Sequence, residues 1–93
     1  MRVEQVEIYS DVSNAVVLRH PGRRYPGCLI QGDSLHALVQ SLRSVQREAT
    51  CLSEDATDAL SDATGRLTEL LDHYRHVMAK HGLDLPFNDA GSF

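Results

Sequence analysis

The hydrophobic period of this chain changes at Gly32, and that change limits what it can fold into. Ahead of it, Val6, Ile8 and Ser10 alternate with Glu7, Tyr9 and Asp11, the two-residue period of a strand with one face buried. Beyond it, Leu35, Leu38, Val39, Leu42 and Val45 recur at three- and four-residue steps, the apolar stripe of a helix. Strands first and helices second predict an α+β domain.

The first strand is expected over about Arg2 to Ser10. Asp11, Val12, Ser13 and Asn14 form a turn, and Ala15 to Arg19 read as a second strand in a hairpin with the first. His20, Pro21 and Gly22 end it. Pro26 and Gly27 punctuate again and leave Cys28 to Gln31 as a short third strand, whose start tolerates a proline because no ladder N–H is needed there.

A first helix is expected from about Ser34 to Glu48, with Asp33 or Ser34 as its N-cap and Gly32 supplying a tight turn before it. Ser53 caps a second, longer helix whose first turn holds Glu54 and Asp55, where carboxylates complement the helix dipole. Leu60, Ala63, Leu67, Leu70, Tyr74, Val77 and His81 follow a heptad spacing that predicts lengthwise packing on another helix. Lys80, His81 and Gly82 form the stop signal. Leu83, Leu85 and Phe87 alternate with Asp84 and Pro86, so the chain is expected to leave the helix extended and lay apolar side chains back on the core. Residues 88–93 read as a flexible tail.

With 93 residues and 42% hydrophobic content, the chain is sized for one domain with one modest core, here residues 1–87. Only 5% of it is aromatic and it has no Trp, which disfavours a large buried ligand pocket. Cys28 and Cys51 are far apart and lack the spacing of a disulfide framework or a zinc site, so a reducing, cytoplasmic setting is expected. Charges interrupt the N-terminus before a signal-peptide core could form, and no apolar run is long enough for a membrane span. Residues 1–47 hold six arginines against four acids, whereas residues 48–93 hold three basic residues against nine acids. Such an acidic half disfavours nucleic acid and suits a basic partner.

Gly32, Asp33, Ser34 and Leu35 spell the signature of a hydrolase superfamily with a nucleophilic serine at a strand-to-helix turn. That superfamily supplies its base and orienting acid as Asp, two residues, His near the end of a much larger domain. The last forty residues contain no such spacing. Asp33 and His36 have it, but they straddle the serine and cannot turn back onto it from one helical turn. The stretch is therefore read as a helix start.

Arg19, Arg23 and Arg24, with Tyr25 among them, form the one concentrated basic feature. Guanidinium groups clamp phosphates and carboxylates, and a tyrosine offers a stacking surface. Pro21, Gly22, Pro26 and Gly27 restrict this loop, and rigid surface loops are where binding residues are displayed. An anion site is thus expected from Arg23, Arg24 and Tyr25 with Gly32, Asp33 and Ser34, whose helix-start N–H groups would add donors. His73 and His76 share a helix face, but Glu69 to His73 and Asp72 to His76 are also ordinary four-residue pairs, so no metal or other cofactor is assigned. Cys28 is expected to be a small core side chain rather than a nucleophile. Asp58, Asp62, Glu69 and Asp72 belong to an acid series on the outer side of the second helix, a solvated face or a contact surface for a basic protein.

The Pro21–Leu35 stretch, with its arginines, Tyr25, Pro26, Gly27 and then Gln31, Gly32, Asp33, Ser34 and Leu35, resembles a family of small uncharacterised bacterial proteins. The resemblance extends to an N-terminal strand pair, two helices and an ending like Leu85, Pro86, Phe87. It implies a domain of about ninety residues and no known activity.

The sequence therefore predicts a small, mostly antiparallel sheet of about three strands followed by an antiparallel two-helix hairpin, the helices covering one face of the sheet. The expected function is non-enzymatic: a protein-binding module, in its concrete form an inhibitor or immunity-type protein whose acidic helix occludes a basic toxin or enzyme. The alternatives are a small anion-binding domain and a homodimer formed through the heptad face of the second helix. Neither nucleic acid nor membrane is expected as a partner.

Overall fold

A computed structural model describes residues 1–88. The flexible tail expected at 88–93 lies, beyond Asn88, outside the described residues. Three strands come first, β1 (Glu7–Ser10), β2 (Val16–Arg19) and β3 (Gly27–Leu29), then two helices, α1 (Gly32–Glu48) and α2 (Glu54–Lys80). This is an α+β fold. Residues 1–31 form one compact unit and the chain from Gly32 onward forms a second; each is described by itself.

In the first unit the strands follow one another in an antiparallel sheet ordered β1-β2-β3. The β1–β2 turn is held by Ser13, whose Oγ accepts from the Ala15 N–H and donates to the Ala15 carbonyl. Ile8 faces Leu18, but Ser10 faces Val17, so the register slips at Tyr9. The bulge breaks the two-residue alternation at Tyr9, and β1 begins at Glu7 rather than Arg2 because its partner β2 ends opposite it at Arg19. On the other side of the pleat Glu7 faces Arg19, and the two form an ion pair. β3 pairs Val16 with Leu29, Val17 with Cys28 and Leu18 with Gly27. Cys28 is exposed, not in the core, because β3 is a three-residue edge strand with a neighbour on one side only.

In the second unit α1 begins at Gly32, two residues before the expected start, and Asp33 and Ser34 lie inside its first turn. The Asp33 carboxylate accepts from the N–H of Ser34, one residue on, which differs from the N2 or N3 donor of a true N-cap. Nor does Gly32 make a turn that needs positive φ; Gly82 alone does so among the described glycines. Gly32 is buried because the ring of Tyr74 lies where its Cβ would be.

The ends of α2 follow the sequence reading. Ser53 Oγ accepts from the Ala56 N–H at 3.1 Å. At the other end the N–H groups of Gly82 and Leu83 reach back to the carbonyls of Ala79 and Met78, a Schellman closure around Gly82 at φ 67°.

The seam between the helices differs from the expected one. Leu35 and Val39 of α1 pack with Leu71 of α2, Leu67 and Phe87 lie against them, and Thr64 is buried on the same stripe. Its spacing is Leu60, Thr64, Leu67, Leu71, Tyr74, Met78, so Ala63, Leu70 and Val77 stand outside it and are exposed. A threonine can occupy the seam because its hydroxyl donates to the Leu60 carbonyl at 2.7 Å and leaves no unpaired polar atom. Gly32 of α1 meets Tyr74 of α2, while Leu35 and Val39 meet Leu71. The helices therefore run antiparallel, as their five-residue connection requires.

Past α2 the chain folds back as expected. Phe87 stacks on His36 with ring centroids 4.1 Å apart and planes 9° from parallel, and Arg75 lies over its ring at 5.7 Å.

Candidate functional site

The first unit carries a cleft of about 450 Å³ where the β2–β3 loop rises beside the sheet. Leu18, Gly27 and Leu29 form its floor, and the loop residues His20, Arg23, Arg24 and Tyr25 its wall, with Cys28 at the strand. Its volume lies within the range of small-molecule pockets. Gly27 opens the floor: a Cβ there would meet nothing within 4 Å, and its cross-strand neighbour is Leu18.

A turn sets the loop. Pro21 and Gly22 occupy its two central positions, and the Arg23 N–H donates to the His20 carbonyl at 2.9 Å. His20 Nδ1 accepts from the Gly22 N–H at 3.1 Å, so the imidazole buttresses the turn with one nitrogen. Arg19 is engaged twice, pairing with Glu7 and donating to the Arg23 carbonyl. Arg23 and Arg24 have no carboxylate partner among the described residues, and the Arg24 guanidinium lies over the Tyr25 ring at 5.4 Å. Two unpaired guanidinium groups thus border an apolar floor, a combination suited to an anion with a flat or apolar body.

Of the residues expected to hold an anion, the structure gathers Arg23, Arg24 and Tyr25 in this cleft. Gly32, Asp33 and Ser34 belong to α1, in the other unit. Ser34 is exposed in the first turn, and its hydroxyl makes no hydrogen bond among the described residues, so no base is set against it. His20 and Cys28 also line the cleft, although neither was expected to hold an anion. The signal for them was the β2–β3 pairing, which sets the two strand ends and their loop on one patch.

A second, more open concavity of about 390 Å³ lies on the outer face of α2, where Gly65 leaves a gap between Asp58, Ser61, Asp62, Arg66 and Glu69. Asp62 pairs with Arg66 at 3.0 Å. Asp58 and Glu69 have no ion-pair partner among the described residues. Asp72, expected in the same patch, pairs with Arg75 at 2.8 Å and is not part of the concavity. His73 and His76 stay exposed. Among the described residues no three His, Cys, Asp or Glu side chains come together as metal ligands, and no helix is long and apolar enough to cross a membrane.

No curated protein and no solved structure matches the chain. The profile of a family of unknown function, DUF6959, matches residues 1–87, nearly its whole length, and the chain belongs to that family.

Proposed function

We propose that this domain is a non-enzymatic binding module that holds a basic protein partner on the outer face of α2, in the manner of an inhibitor or immunity-type protein. The observation that carries the reading is the gap at Gly65, flanked by the unpaired carboxylates of Asp58 and Glu69. A glycine in mid-helix costs about 0.5–1 kcal/mol relative to alanine, and here nothing within 4 Å would obstruct a side chain. Intramolecular packing therefore does not account for the glycine, whereas close approach of a partner's arginine or lysine would. Charge complementarity of this kind speeds association and makes it salt-dependent.

The test is capture from a host extract on the wild-type chain and on the Asp58→Lys, Glu69→Lys double variant. The reading predicts a prey with a basic surface that is lost on the variant and released by added salt. A prey retained by the variant at high salt would overturn it.

The cleft supports a second reading, as a small-anion site, because Arg23 and Arg24 border an apolar floor without carboxylate partners. Titration with inorganic phosphate, a dicarboxylate and a nucleotide, followed by amide NMR, should then shift resonances of residues 20–29 and leave an Arg23→Gln, Arg24→Gln variant unmoved. Resonances that stay still with every anion would sink it.

A further inference from the structure

We propose that the helical hairpin pairs with a second copy of itself through the side opposite Phe87, forming a four-helix bundle. His36 and Arg75 each lie one position after a seam residue, Leu35 and Tyr74, and both touch Phe87. This flank of both helices therefore lies on one side of the hairpin, the side the C-terminal segment covers.

Three positions after a seam residue lies the other flank. There α1 presents Leu38 and Val45, and α2 presents Leu70 and Val77, 43%, 51%, 52% and 38% exposed. Each pair is seven residues apart, so each helix carries a straight apolar row, and Ala63 continues the row on α2. In antiparallel helices like flanks align, so the two rows run side by side. With Leu42, Leu67 and Tyr74 between them, no charged residue interrupts the face. Apolar positions on the seam and on one flank are the pattern of a helix with two helical neighbours, as in a bundle, whereas the isolated hairpin gives each helix only one.

The area suits a second copy. α1 has 17 residues and α2 has 27, lengths of roughly 26 and 40 Å. With axes 8–10 Å apart and each helix about 10 Å wide, the face measures roughly 600 Å² per copy. Two copies would bury about 1,200 Å², above the roughly 1,000 Å² expected of a specific interface. A face built from two matched rows is also self-complementary under a two-fold axis. The acidic outer face of α2 remains free, so this inference does not depend on the function proposed above.

Sedimentation equilibrium of the full chain, from low to high micromolar, tests it. The wild type is expected at twice the mass of one chain, and a Leu38→Asp, Leu70→Asp variant at the mass of one chain with its helical circular dichroism retained. A wild type at single-chain mass throughout, or a variant that still doubles, would overturn the proposal. The wild-type mass decides even if the variant fails to fold.

Discussion

Gly32→Ala is expected to lower stability by about 1–3 kcal/mol, the usual cost of forcing extra volume into a packed site. The added methyl would fall on Cζ, Cε1 and Oη of the Tyr74 ring. Tyr74 would have to swing away, and with it the tilted contact it makes with Phe87 at 6.5 Å. Helix propensity acts the other way, since alanine is favoured over glycine by about 1 kcal/mol within a helix. The comparison is therefore informative: in a Tyr74→Ala background the same Gly32→Ala change should be neutral or stabilising. Thermal melts followed by circular dichroism would show the sign change. A Gly32→Ala variant as stable as the wild type would mean that the ring does not occupy that space.

Leu71→Ala should cost more, about 2–5 kcal/mol, as expected when a buried leucine leaves a cavity behind. Leu71 is 1% exposed, and with Leu35 and Val39 it makes up the buried apolar set of the described residues. Against a net stability of roughly 5–15 kcal/mol for a domain, this loss would remove a large share of the total and lower the urea midpoint accordingly. Leu70→Ala, one residue away and outside the seam, should keep the helical signal. Urea titration of the two variants checks the helix register directly. If Leu70→Ala unfolds the hairpin and Leu71→Ala does not, the seam has been assigned to the wrong stripe.

That register marks the limit of what the amino-acid pattern could say. Element order, the antiparallel meander, the Ser53 cap and the Gly82 stop were all readable, because each depends on local chemistry: a hydroxyl before carboxylates, a glycine after cations, a proline beside a strand. The α2 seam was not readable, because two overlapping apolar rows fit the same helix and choosing between them meant burying Thr64. Its hydroxyl is satisfied by a carbonyl four residues back, a bond that hydropathy does not record. Gly32 was misread for a similar reason. Glycine at a strand-to-helix boundary suggests a turn, and its actual use against Tyr74, forty-two residues later, leaves no local trace. Arg23, Arg24 and Tyr25 could be grouped from the sequence because they are consecutive in the short connection between β2 and β3. The expectation for Cys28 failed because composition cannot tell an edge strand from a central one.

The pairings β1 with β2, β2 with β3 and α1 with α2 each join elements adjacent in the chain, across connections of five, seven and five residues. Closing loops this short costs little chain entropy, and contacts between sequence neighbours go with rapid folding. Synthesis runs from the N-terminus, so the meander can assemble as soon as residue 31 clears the ribosome. The helices, by contrast, must wait for Phe87 before one flank of their seam is covered. Throughout that interval the seam stays open on the side that Phe87 will close, while Leu38, Val45, Leu70 and Val77 are exposed on the other, which makes the last turn of α2 and the segment after it the stage at which a growing chain is most open to chaperones or to another copy of itself.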